Sequence, residues 1–171
     1  MEKFLSATDV SKVVGQKPMK VIISSEFHKI NNLSEVLNDE TPDVLILFQN
    51  NHQANVISGH WCCMKLLDDT LLFYDSYGSF PTDQLKRIPK SYRKQTNQCK
   101  NYLAQLMLDS GYDIHYNNYK HQKRGSGINT CGRHSGYFLR NNLFPDEYNS
   151  KYNISDSNIV RITNPLLHQP Q

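Results

Sequence analysis

One cysteine stands where a nucleophile would. Gln122 to Phe138 reads Gln-Lys-Arg-Gly-Ser-Gly-Ile-Asn-Thr-Cys-Gly-Arg-His-Ser-Gly-Tyr-Phe, a polar, glycine-bearing loop that runs into Cys131. Cys131, Ser135 and Phe138–Leu139 then recur at spacings of three and four, the period of a helix. The thiol would therefore sit in a first helical turn. Unpaired backbone N–H groups and the helix dipole favour negative charge there, and the thiolate is the nucleophilic form of cysteine. The segment alone leaves a second reading open, in which Cys131 is a small buried hydrophobe.

A cysteine nucleophile needs a base for its proton and a group that orients the base. Seven histidines are available: His28, His52, His60, His115, His121, His134 and His168. His134 shares the expected helix with Cys131, so it would approach the thiol only from the side. His60 is the better base. It opens an expected strand, at the rim of a sheet, just before the only tryptophan, Trp61. The orienting acid would come from the next strand. Asp75 ends that strand, and a turn at Asp68-Asp69-Thr70 brings it to the His60 end of the hairpin. Capping of the turn at Gly78 is the other role open to Asp75. Donors for an oxyanion would be the Cys131 backbone N–H and the Gln122 side chain, nine residues upstream. Gly125, Ser126 and Gly127 give that loop freedom to fold back.

Other chemistries lack their residues. The cysteines and histidines show no paired zinc spacing. No dinucleotide fingerprint, phosphate-binding Gly-Lys-Ser/Thr or Gly-x-Ser-x-Gly elbow occurs. No metal and no cofactor is expected. The four cysteines, two of them adjacent (Cys62 and Cys63), form no disulfide framework. With no signal-peptide core after Met1 and no apolar run long enough to cross a bilayer, a soluble protein of a reducing compartment is expected. Hydrophobic residues are 38% and charged residues 20% of 171, which excludes a disordered chain and allows one domain, 1–171, with a sizeable core. The net charge of +3 is concentrated. Lys86, Arg87, Lys90, Arg93, Lys94 and Lys100 follow one another with no acidic residue between. This run is either a solvated face or a patch for nucleic acid or an acidic partner.

The elements that must position these residues follow from pattern. Ser6 to Val14 reads as a capped helix ended by Gly15. Met19 to Ser24 reads as a strand or arm, and Asn32 to Leu37 as a short helix. Val44 to Phe48 is a continuous apolar run, expected to be a strand buried on both faces. Asn50 to Gly59 is a polar loop. Trp61–Leu67 and Leu71–Tyr74 form the hairpin. Thr82–Ile88 and Asn97–Leu108 read as helices, Tyr112–Tyr119 as a strand, Cys131 to Asn142 and Pro145–Tyr152 as helices, and Asn164–Gln171 as an irregular tail. The pattern is α+β with a mostly antiparallel sheet in mid-chain.

Gly59-His60-Trp61, Phe73-Tyr74-Asp75-Ser76-Tyr77-Gly78, and Gln122 ahead of Thr130-Cys131-Gly132 together resemble the adenain-like and SUMO-protease-like cysteine peptidases, over roughly His60 to Leu139. Those enzymes carry His, Asp or Glu, Gln and Cys in that chain order. The resemblance implies a mixed sheet packed against a central helix bearing the nucleophile. It implies Cys131 as nucleophile, His60 as general base and acid, Asp75 as its orienting group, and Gln122 in the oxyanion hole. The spacing of nine from Gln122 to Cys131 exceeds the family's six or seven. Trp61 and Gly132 would contact substrate, and Lys86, Arg87, Lys90, Arg93 and Lys94 would contact nucleic acid. The chain is most similar to maturation proteases of double-stranded DNA viruses and virophages. These cut capsid or core precursors, often beside Gly, inside the virion and the viral factory or host cytoplasm, with DNA or a viral peptide as activator in one case. A protease for ubiquitin-like proteins would use the same residues. A reading from another class is a non-catalytic DNA- or capsid-binding protein.

Overall fold

The apolar run at Val44–Phe48 forms the middle of a strand, β2 (Asp43–Gln49), in which every residue from Asp43 to Phe48 is buried. The computed structural model describes residues 3–50, 59–125, 127–152 and 154–169. Most of the expected polar loop (residues 51–58), Ser126 and the last two residues of the expected tail lie outside the described residues.

Around β2 lie β1 (Met19–Ile23), β3 (Gly59–Leu67), β4 (Thr70–Tyr74) and β5 (Asp113–Tyr116), paired in the order β1-β2-β3-β4-β5. The central pairs are antiparallel and the two outer ones parallel, so the sheet is mixed. The hairpin is tight. Leu67 pairs with Thr70, and the two residues between, Asp68 and Asp69, have φ of 50° and 58°. Left-handed backbone at both central positions is what a type I′ turn demands, and Asp tolerates it better than most residues.

Alternating side chains feed two cores, one on each face of the sheet. Ile46, Phe48, Cys62, Met64 and Phe73 enter one, with Phe27 and α3 (Tyr102–Asp109). Leu45, Leu47, Trp61, Cys63, Leu72 and Tyr74 enter the other. That second face is covered by α4 (Cys131–Arg140), the helix predicted to carry the thiol. Over α4 pack α1 (Ala7–Val14), capped by Ser6 with a reciprocal Asp9 bond, and α6 (Asp156–Leu167). Approach of α1 to α4 requires Gly136, where a β-carbon would lie 2.9 Å from the Val13 side chain.

Several expected elements differ. Asn32–Leu37 makes only a 3₁₀ turn, Leu33–Glu35. Thr82–Ile88 is a 3₁₀ segment, Pro81–Arg87, followed by an unforeseen short helix, α2 (Lys90–Gln95). The helix expected from Asn97 starts at Tyr102, because Asn97 has φ 57°. α5 spans Pro145–Lys151. The tail is not irregular from Asn164: α6 runs through Pro165 to Leu167. A proline so near a helix end forgoes one hydrogen bond, and burial of Ile159 and Thr163 against the second core outweighs it.

Candidate active site

Strand β3 is longer than its partner. Pairing with β4 stops at Cys63 opposite Tyr74, leaving Gly59 to Cys62 beyond the ladder. Backbone groups exposed there must find other partners, and α4 provides them. The Trp61 N–H donates to Cys131 Sγ at 3.5 Å, and Ser135 Oγ donates to the Trp61 carbonyl at 3.2 Å. Cys131 and Ser135 are four apart, hence on one helical face. The edge of β3 thus seats the first turn of α4 and fixes the sulfur beside the strand that carries His60. The Thr130 side chain does not cap the N-terminus of α4, which begins at Cys131, so the positive end of the helix dipole lies beside the sulfur.

His60, 8% exposed, is held from several sides. Its Nε2 lies 2.5 Å from Asp75 Oδ1, and its ring stacks on Tyr77 with centroids 4.7 Å apart. Burial disfavours the imidazolium. The Cys62 sulfur, and then hydrogen bonds to Asp75 and Cys131, outweigh burial and raise the His60 pKa well above its ordinary value. Burial also pushes the Cys62 thiol up to about 12. Its sulfur is therefore uncharged at neutral pH, and Asp75 is the anion that matters to His60 there. With Nε2 committed to Asp75, Nδ1 is the ring nitrogen left for a second partner.

Asp75 is fully buried and fully partnered. Oδ1 also accepts from the Tyr77 N–H at 3.0 Å. Oδ2 accepts from Ser79 N–H (3.3 Å), Gln84 Nε2 (2.8 Å) and Arg87 (3.5 Å). Burial opposes the carboxylate, but the bond and charge of His60, then the bonds from Gln84 and the Tyr77 N–H, prevail and hold it well below the usual range. Asp75 bonds His60 and closes the turn at once, its carbonyl accepting from the Gly78 N–H, where φ is 74°. Arg87, counted in the basic run, is turned inward here. It bonds Gln84 and Ser79 and lies over Tyr77, so it is removed from the exposed part of the basic run. Lys86 is exposed and paired with Asp83, Lys90 and Lys94 are exposed, and Arg93 is half-buried.

Gln122 is buried. Its Oε1 accepts from Ser76 Oγ at 2.6 Å, and its Nε2 donates to the Ile128 carbonyl at 3.2 Å. A primary amide has a second N–H to offer. The bond to Ser76, the neighbour of Asp75, ties the loop to the sheet. Trp61 and Gly132 are packing residues instead of a substrate platform. The indole is 2% exposed, stacks on Phe4 and donates to the Leu5 carbonyl at 2.9 Å. A β-carbon on Gly132 would lie 3.1 Å from that indole and from Val10. His134 is fully buried and bonds Asp156 at 3.2 Å. Among the described residues, His60, Cys62 and Asp75 place three candidate ligand atoms within 4.8 Å of one another. The His60–Asp75 bond and the Arg87 cation already engage that carboxylate. Tyr77, Gln84 and Arg87 were not foreseen from sequence. The signal was the short spacing after Asp75, which lets one 3₁₀ segment wrap the carboxylate.

No protein-family model matches the chain. It is 35% identical over 130 residues, 75% of its length and 71% of the other's, to the uncharacterized protein V9 of Sputnik virophage. Its fold is similar to that of the ASFV pS273R protease. The TM-score is 0.51 at 13% identity, with 98% of this chain and 69% of that chain covered. A second crystal structure of that protease gives 0.44, covering 85% and 58%. This chain thus spans between just over half and about two thirds of the length of that protease. The C-terminal Ulp1 protease domain, solved with the yeast SUMO orthologue Smt3, aligns with a TM-score of 0.46 at 12% identity, covering 97% of this chain and 76% of that one. Among the described residues, no helix is long and apolar enough to cross a membrane.

Proposed function

Since the chain belongs to the family of the uncharacterized virophage protein V9 and has the fold of a viral protease, we propose that it is a cysteine endopeptidase that processes viral capsid or other structural precursors during virion maturation, cutting beside glycine. The observation that carries this reading is the imidazole of His60, held by Asp75 at 2.5 Å, on the strand whose Trp61 N–H meets the Cys131 sulfur at 3.5 Å.

The geometry supports acyl transfer by a thiolate–imidazolium pair. The Cys131 sulfur attacks the scissile carbonyl and forms the C–S bond. The tetrahedral oxyanion takes the backbone N–H at the start of α4 and the second N–H of Gln122 Nε2. Collapse expels the amine, which takes its proton from His60. Water, deprotonated by His60, then cleaves the thioester and returns the sulfur as thiolate. Asp75 holds the ring orientation and offsets the imidazolium charge. Four free cysteines suit a reducing setting such as a viral factory, host cytoplasm or virion interior. DNA or a viral peptide is the activator we would test, with Lys86, Lys90 and Lys94 as the exposed cations.

Incubation with the capsid precursor of the same virus, read by mass spectrometry of new termini, should give defined cleavage. Cys131→Ala should abolish it, and His60→Ala should slow it about 10²- to 10⁴-fold. Unchanged fragments from Cys131→Ala would sink the reading. Cleavage confined to a SUMO or ubiquitin fluorogenic substrate would move the enzyme to ubiquitin-like targets.

A further inference from the structure

The loop that feeds the nucleophile has both its ends on one carboxylate. Asp156 is the first residue of α6, just after the Ser155 cap. Its Oδ2 accepts from the Lys123 backbone N–H at 2.9 Å. Its Oδ1 accepts from the Thr130 hydroxyl at 2.6 Å and lies 3.2 Å from His134 Nε2. Lys123 follows Gln122, Thr130 precedes Cys131, and His134 lies one turn into α4. The first two of these bonds therefore go to the immediate neighbours of both proposed oxyanion donors.

The other side of the loop is anchored to the sheet. The Ser76 carbonyl accepts from the N–H groups of His121 and Gln122, and its hydroxyl donates to Gln122 Oε1. Ser76 thus sets where Gln122 begins, and Asp156 sets how far Cys131 lies from it. A spacing of nine residues leaves more backbone to order than a shorter loop would, so such a tie has work to do. The acceptor is strong. Burial opposes the Asp156 carboxylate, but the bonds from His134, Thr130 and Lys123 hold it below the usual carboxyl range, which makes them charge-assisted. Burial lowers the His134 pKa too, so a neutral ring is the donor and its Nε2 carries the hydrogen.

We propose that Asp156 is a positioning residue for the peptidase reaction, clamping Lys123 and Thr130 so that Gln122 Nε2 and the Cys131 N–H converge on one oxygen. This role rests on the peptidase reading above. Asp156→Asn is the sharpest probe, because an amide oxygen can still accept from Thr130 while its –NH₂ opposes the Lys123 N–H. Thr130→Val removes one bond at constant shape, and Thr130→Ser restores it.

In folded, concentration-matched protein, Asp156→Asn and Thr130→Val should each lower kcat on the order of 10- to 100-fold with KM little changed, as expected for a small misplacement of reacting groups. Thr130→Ser should recover the activity. The double variant should be little worse than the poorer single one, because the two act as a unit. Hydrogen exchange of the 122–131 amides, which needs no substrate, should quicken in Asp156→Asn. Wild-type kcat in folded Asp156→Asn, unchanged exchange, or multiplicative losses in the double variant would each overturn the clamp. Wild-type protein that turns over no precursor at all would sink the peptidase reading and this role with it. The exchange data would then still show whether Asp156 holds the loop.

Discussion

Asp75 concentrates the residue-scale energetics. A fully buried carboxylate would be costly alone, but it meets His60, Gln84, Arg87 and two backbone N–H groups. The pH dependence follows from the directions of the shifts. The His60 pKa is raised above 6.5, so its contribution to stability is fully present below that pH and is lost as pH rises through the folded value. The Asp75 pKa is depressed below 3.8, so its contribution is present above that pH and is lost as pH falls through the folded value. The pair therefore stabilises the fold most between those values, and urea midpoints should decline on the alkaline side of 6.5. In Asp75→Asn that alkaline decline should flatten, and kcat should fall about 10²- to 10⁴-fold with a smaller change in KM. An alkaline slope identical to wild type would show that His60 is not held protonated by Asp75. At this scale much was legible. His60, Asp75 and Cys131 were named from residue type, a strand rim and a hairpin of countable length. Gln84 and Arg87 were not, because glutamine and arginine on a polar segment carry no local sign of which way they turn.

At the scale of elements, α4 is the part that must not shift. Its first turn is seated on β3 through Trp61, and its last carbonyls are met by two lysines. Lys65 Nζ donates to Leu139 O at 2.8 Å and pairs with Asp43 at 2.9 Å, while Lys17 Nζ donates to Leu139 O and Arg140 O. Cations suit the negative end of a helix dipole. Lys65 and Asp43 are only 2% and 1% exposed, so neither can turn to solvent for compensation. Lys65→Ala should therefore cost about 3–5 kcal/mol in urea unfolding, chiefly by leaving Asp43 buried and unpaired. A paired Lys65→Met, Asp43→Leu change should recover most of it. A loss within the range of an exposed ion pair, about 1 kcal/mol or less, would show that the carboxylate finds water. Strands β2, β3 and β4 were readable from their apolar runs, α1 from period and the Ser6 cap together, and α4 from period alone. The last turn of α6 was read as irregular because Asn164-Pro165 argues locally for a stop, whereas the decision lies with Ile159 packing on a distant core.

At the scale of the whole molecule, burial sorts the thiols. Cys62 and Cys63 are fully buried, and Cys131 is 3% exposed beside His60, while Cys99 is exposed. Iodoacetamide at pH 6 should modify Cys131 first and Cys99 later, and should reach Cys62 and Cys63 only on unfolding. Labelling of Cys99 ahead of Cys131 would return Cys131 to the role of core filling. By itself the sequence determined which candidate site residues are present and their order along the chain. It also placed His60 and Asp75 at one end of a hairpin, because strand period and turn length act over a few residues. Only the tertiary structure decided that Cys131 meets the Trp61 N–H from 70 positions away, that Trp61 is core, that Arg87 faces Asp75, and that Asp156 gathers the loop. Each of those depends on which helix face buries against which strand, a balance struck across the whole chain.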